Sequence, residues 1–210
     1  MSTLEQTKEV EGQGASYGLE VEVESLIELL EGAITHSDKG KSALRALSSV
    51  MLEGEGGYLT ARATDRYRAI EGKIEVREGE LTASLVSLDD VKRVISLAIE
   101  DSKKYGRALG LISLNRIGDL LTVSAAGNTV TLTILSENYP SSFDDLFNKG
   151  EVTAIEEIAF NPAYFSDYAK IVGKGVQVKV TFKGDNKPIA IGLVGNKVEW
   201  RALLMPMRII

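Results

Sequence analysis

The strongest constraint on this chain is a pattern that it contains three times: an alternating strand, an amphipathic helix, then further strands. A repeat of roughly 60 residues governs any fold the chain can adopt, because each copy must bury the same kind of face. In the first copy, Tyr17–Val23 reads YGLEVEV, with apolar and acidic residues alternating at the period of a half-buried strand. Glu24–Thr35 follows, with Leu26, Leu29, Leu30 and Ala33 on one helical face. Strands are expected at Ala46–Leu52 and Tyr58–Ala63, with Gly54, Gly56 and Gly57 marking the hairpin between them.

In the second copy, Glu80–Val86 reads as the strand. Ser87 is an N-cap with Asp90 at capping-box spacing, and the helix runs to about Ser102 with Val91, Val94, Ile95 and Ala98 inward. Strands follow at Leu109–Leu114, Leu120–Ala125 and Thr129–Leu135, with Gly127-Asn128 in the last turn. In the third copy, Ala154–Phe160 is the expected strand. Asn161 caps a helix that begins at Pro162 and ends near Gly173. Strands are expected at Val176–Lys183, Pro188–Val194 and Lys197–Met205, with turns at Asp185-Asn186 and Gly195-Asn196. The fold class is therefore α+β: repeated βαβββ units with helices on one face of antiparallel sheets. Residues 1–16, polar and acidic, read as a flexible lead-in. Residues 17–149 form a two-unit domain and 150–210 a half domain, the boundary falling at Asn148–Val152.

Composition narrows the function. The chain has 210 residues, of which 44% are hydrophobic, enough for a substantial core. No apolar run reaches the ~18 residues of a membrane helix, and the start lacks the pattern of a secretory signal. With no cysteine there is neither disulfide nor thiolate site, and a cytoplasmic setting fits. The net charge of −6 argues against gripping nucleic acid by bulk attraction. Contact with DNA would come through a local basic surface or by encirclement.

Catalysis finds no support in the residues. The single histidine, His36, lies at a helix end and reads as a solvated cap residue. A metal cluster of histidine and carboxylates would need more, and Gly54, Gly56 and Gly57 lack the spacing of a phosphate loop. Asp144 and Asp145 are adjacent, as in a solvated turn. Neither a metal nor a cofactor is expected.

Four stretches carry a resemblance. Ala63-Thr64-Asp65-Arg66-Tyr67-Arg68 looks like the Ala-Thr-Asp-Gly-His/Tyr-Arg signature in the middle domain of bacterial DNA polymerase III beta sliding clamps. Tyr139-Pro140-Ser141-Ser142-Phe143, with Leu146, is similar to the segment closing that domain. Ala159-Phe160-Asn161-Pro162-Ala163-Tyr164, with Asp167, resembles a strand-to-helix entry in the last domain. Leu204-Met205-Pro206-Met207-Arg208-Ile209 resembles the family's terminal Met-Pro-Met-Arg-Leu. Order and spacing make the set specific, and it covers Tyr17 to the end. Arg66 stands where the family usually has glycine, and Ala69 where it has leucine. The resemblance implies a shortened clamp, with units one and two as a complete middle domain and unit three as a fused half domain. It implies a viral or mobile-element type, such as a phage clamp.

The family implies a ring that encircles double-stranded DNA without reading sequence and tethers a DNA polymerase, loaded by a clamp loader. Its helices line the hole. The DNA-facing residues would be Lys39, Lys41, Arg45, Lys92, Arg93, Lys103, Lys104, Lys170 and Lys174, while Glu24, Glu28 and Glu31 would face the rim or a neighbouring chain. The family's peptide pocket for polymerase and loader, carried over by motif, would be lined by Leu47, Thr64, Tyr67, Arg68, Pro140, Leu146, Leu203, Met205, Pro206, Met207 and Arg208. Adaptable methionines suit a surface that receives several sequences, and an arginine can grip a carbonyl or carboxylate. Family rings contain twelve half-domain units, so three per chain implies a homotetramer. Neighbouring half-domains alternate in orientation. Adjacent chains would then be flipped, unit three meeting unit three and unit one meeting unit one, with pockets on both ring faces. The alternative is an interaction protein, a decoy or transcription accessory factor, that keeps the pocket without encircling DNA.

Overall fold

The computed structural model describes residues 18–39, 44–105, 110–125, 127–140, 143–148, 152, 154, 157–173, 177–184, 187–194 and 197–208. The lead-in, Lys41, Lys174 and the turns at Asp185-Asn186 and Gly195-Asn196 lie outside them. Unit one comprises β1 (Leu19–Glu22), α1 (Val23–Ile34), a 3-10 turn (Arg45–Ser48), β2 (Ser49–Glu55), β3 (Tyr58–Thr64) and β4 (Arg68–Glu75). Unit two comprises β5 (Leu81–Ser87), α2 (Leu88–Tyr105), β6 (Leu111–Ile117), β7 (Leu120–Ala125) and β8 (Asn128–Thr133), followed by the short α3 (Phe143–Asn148). Unit three comprises α4 (Pro162–Val172), β9 (Val178–Thr181), β10 (Ile189–Val194) and β11 (Glu199–Leu204).

The sheets do not follow the units. One runs β1-β6-β7-β8 and the other β5-β2-β3-β4-β11-β10-β9. Units one and two therefore exchange their first strands: β1 pairs with β6 of unit two, and β5 with β2 of unit one, both antiparallel. This swap interlocks the two units, with α1 packed on α2. The larger sheet then continues into unit three through β4 and β11, in register from Glu199↔Lys73 to Leu204↔Arg68.

That junction corrects the expected unit order. Unit three sits beside unit one, so the spatial order is two–one–three. Unit one is enclosed on both sides, and no unit-one-to-unit-one contact between chains is available to it.

The α1 helix lies between α2 and α4 and touches both. Its stripe Leu26, Leu29, Leu30 and Ala33 is buried against the sheets, as is the equivalent stripe of α2. Burying side chains of this kind contributes ~1.5–3 kcal/mol each before entropy is counted. The caps anticipated from sequence form: Asn161 Oδ1 accepts from Ala163 N at 3.0 Å, and Ser87 Oγ accepts from Asp90 N at 3.2 Å. On the opposite face of the large sheet, Phe143 and Phe147 of α3 pack on Ala69 and Leu203.

Four local expectations need correction. β4 was not anticipated, because Glu71, Gly72 and Lys73 break the apolar alternation. Glu71 is nonetheless only 1% exposed, accepting from Arg62 Nε and Arg201 Nε, each at 2.7 Å. No strand forms among the described residues of 154–160, where Ala159 alone makes a bridge, to Met207. Asp145 lies in α3 rather than in an irregular turn. His36 is fully buried rather than solvated.

Candidate functional site

The turn joining β3 to β4 organises the first site. Asp65 Oδ1 accepts from the backbone N–H groups of Tyr67 and Arg68, both at 3.0 Å, and Thr64 Oγ1 donates to the Arg68 carbonyl at 2.8 Å. These bonds hold Arg66 at φ 78°, a left-handed conformation in which the absence of a Cβ favours glycine. Tyr67 is thereby presented outward, 62% exposed, while Arg68 turns in and is only 7% exposed.

Arg68, expected to line the peptide pocket, has its guanidinium engaged by three partners. Nε donates to Asp65 (2.9 Å), one terminal nitrogen to Asp167 (2.7 Å) and the other to the Thr35 carbonyl (2.7 Å). Its charged plane lies 4.4 Å over the ring of Tyr164. Burial opposes its charge, but the bonds to Asp167 and Asp65 outweigh burial and raise its pKa. It is a structural rivet between units one and three, and it cannot grip a ligand carboxylate without breaking those bonds. Asp167 is held below the usual carboxylate range: burial works the other way and is overcome by the bonds to Lys170 and Arg68.

Beside this rivet, the end of β11 reaches the same turn. Met205 N donates to the Tyr67 carbonyl at 2.8 Å, and Met207 N to the Ala159 carbonyl at 2.7 Å. Tyr67, Met205 (40% exposed) and Met207 (57%) are therefore brought together as apolar side chains facing solvent. Leu146 is also exposed, on α3, whose other face is buried on Leu203. Pro140 and Arg208 are exposed and Pro206 is half-buried. Leu47, Thr64 and Leu203 are buried and form support rather than surface. The aromatic support was not among the expected pocket residues, although Tyr139 and Phe143 belong to one of the resembling stretches: Tyr139 stacks on Phe143 at 6.0 Å, and Arg201 lies 4.4 Å over Phe147. Its other sequence signal was the spacing of the apolar residues in Tyr139–Phe147.

The second surface lies on the helix side. Lys39, Arg45, Lys92 and Lys170 line one open cleft of about 830 Å³. The cleft is mixed in charge, since Glu31, Asp89 and Asp167 line it too. Lys92 pairs with Asp89 (3.0 Å), Arg93 with Asp90 (2.7 Å), Lys170 with Asp167 (2.6 Å) and Arg45 with Glu137 (3.5 Å). Lys103 and Lys104 are exposed near the C-terminal end of α2. Lys103 shares a groove with Glu24, Glu28 and Glu31 of α1, where Glu24 binds Lys197.

Repeated βαβββ units, exchanged first strands and a continuous helix layer on antiparallel sheets define the sliding-clamp fold, and this chain has it. The fold is that of DNA polymerase III beta clamps in particular. The solved beta subunit from Thermotoga maritima superposes with a TM-score of 0.76 at 16% identity, over 97% of this chain and 69% of that one. A Pseudomonas aeruginosa DNA polymerase sliding clamp gives 0.75 at 14% identity, over 94% and 68%. A putative beta subunit from Eubacterium rectale gives 0.72 at 11%, over 100% and 68%. No protein-family model matches the chain, and no curated protein matches it by sequence.

Proposed function

We propose that the chain is a DNA sliding clamp, a non-enzymatic processivity factor. It encircles double-stranded DNA in the bacterial or infected-cell cytoplasm and holds polymerase and clamp-loader peptides at the Tyr67–Met205–Met207 surface. The observation that carries this reading is the layer of α1, α2 and α4 on one side of sheets joined across a domain junction. Three units per chain and twelve per ring give a homotetramer. The helix layer offers cations to phosphates, and Arg45, Lys92, Arg93 and Lys170 are each already paired with a carboxylate, so contact is sliding rather than gripping.

Topology decides the matter. A charge-driven binder releases DNA steeply as salt rises. A closed ring stays on circular DNA at high salt and slips off once the circle is cut. Equal release from intact and cut circles overturns encirclement. The pairing of Lys92, Arg93 and Lys170 with aspartates favours a second reading, a docking protein that keeps the peptide surface without surrounding DNA. Retention that ignores topology, together with intact peptide binding, is its signature.

A further inference from the structure

The two complete units show what a finished unit needs. Each has three strands of its own plus a fourth donated by the other: β1 on the outer side of β6, and β5 on the outer side of β2. The donated strand always immediately precedes the donor's helix.

Unit three has the same three strands, β9-β10-β11, and the same helix, but β9 is the last strand of its sheet among the described residues. The consequences appear at matched positions. Val178 pairs with Leu193 as Ile112 does with Ala125, and Val180 with Ile191 as Leu114 does with Val123. Ile112 and Leu114 are at most 1% exposed, whereas Val178 is 36% exposed and Val180 only half-buried. Counting from the first helical residue, Ala169 stands where α1 has Leu30 and α2 has Ile95. Those two are buried and Ala169 is exposed. An open sheet edge and an uncovered helix face thus lie side by side.

The stretch before α4 mirrors this. It occupies the chain position of β1 and β5, yet among its described residues Val152 is 75% exposed, and its one backbone pairing is that of Ala159 with Met207. Its described glutamate, Glu157, is opposite in sign to Lys179 on β9. It stands in the chain where units one and two have their donated strand, and forms no strand among its described residues.

We propose that unit three is completed by unit three of a second copy of this chain, across a true two-fold. Each copy lends the stretch before α4 to the outer edge of the other's β9, and the two α4 helices pack together as α1 and α2 do within one chain. A two-fold contact of this kind is self-complementary and closes. The occupant is a second copy because the operation relating units one and two, applied to unit three, requires a unit of the same kind. The inference rests on the internal repeat, so it stands or falls separately from DNA encirclement.

The register of β1 on β6 carries over to place Ala159 of one copy opposite Lys179 of the other. The chain has no cysteine, so Ala159→Cys with Lys179→Cys creates a single defined pair. Mild oxidation is expected to give a covalent dimer on denaturing gels. An intramolecular disulfide, or none, overturns the proposal. In parallel, Ala169→Glu changes a side chain that is exposed in the single chain, so folding is retained. Native mass spectrometry should show the assembly halved, with an unchanged circular dichroism spectrum. A wild-type chain that is monomeric at high concentration, or an assembly indifferent to Ala169→Glu, also overturns it.

Discussion

Arg68 and His36 lie close together, and the charge of one adds to burial in keeping the other neutral. His36 packs 5.3 Å from the ring of Tyr168, with Nδ1 2.7 Å from Thr35 Oγ1. Burial first, then the Arg68 guanidinium, push its pKa down to about 3, against the opposing pull of Asp167. The unfolded chain takes up this proton near 6.5, and the folded chain refuses it until about 3. Across that window the unfolded state holds more protons, so stability falls as pH drops, by at most about 1.4 kcal/mol per pH unit. The depressed carboxyls Asp167 and Glu71 begin to lose their contribution as pH falls through the ordinary carboxylate range and lose the rest below it. Urea midpoints between about pH 7 and about pH 5 therefore carry the histidine's slope, against which Glu28, whose carboxyl is raised by burial, works in the opposite sense. His36→Gln should flatten the slope there, and an unchanged slope in the variant would assign it to other groups. None of this was legible in the sequence, where a lone histidine at a helix end looks solvated. Its burial comes from unit three, more than a hundred residues away in the chain, closing over it. The same holds for Arg68, whose partner Asp167 lies 99 residues away.

At the scale of elements, the helices and most strands were legible because their apolar residues keep one period and their caps are local. Helix stripes such as Leu26-Leu29-Leu30-Ala33 are read directly from spacing. β4 was not, because its stability lies in pairs across three strands: Glu71 between Arg62 and Arg201 satisfies a buried carboxylate that alternation counts as a break. The strand expected at 154–160 does not form among the described residues, where Ala159 alone makes a bridge, because alternation in the sequence supplies no neighbouring strand. Of the proposed peptide surface, only part was legible. Its exposed members, Tyr67, Met205 and Met207, came from motif, while its aromatic support on α3 depends on packing. Because β11 ends at Leu204, removing Met205–Ile210 spares the sheet and should abolish binding of a polymerase-derived peptide. Met207→Ala should weaken it by ~1–2 kcal/mol if the side chain is a buried anchor in the complex. Unchanged affinity in calorimetry, with a folded truncation, would move the docking site elsewhere.

For the whole molecule, the order two–one–three recasts the ring. The free ends are the β8 edge of unit two and the open side of unit three. β8 occupies the place in its sheet that β4 holds in the other, and β4 is paired edge to edge with β11. A ring of alternately flipped chains therefore joins unit two to unit two along β8, and unit three to unit three, giving dihedral symmetry. Light scattering is expected to return a mass of four chains. A stable trimer contradicts this arrangement, since an odd number of flipped chains cannot close. The flipped order also sends peptide surfaces to both ring faces, and a ring carrying all of them on one face would contradict it equally.

Trp200 sits where β4 meets β11, opposite Gly72 in register and 3% exposed. Its indole lies so close to Gly32 and Gly72 that a Cβ at either position would collide with it. It is the chain's only tryptophan. Indole emission shifts to longer wavelength when water reaches the ring, so the fluorescence of this protein reports one seam and little else. If units one and three part during loading or unloading while each stays folded, the colour of the light changes although the secondary structure does not. The seam is its own optical gauge, legible in the unlabelled protein.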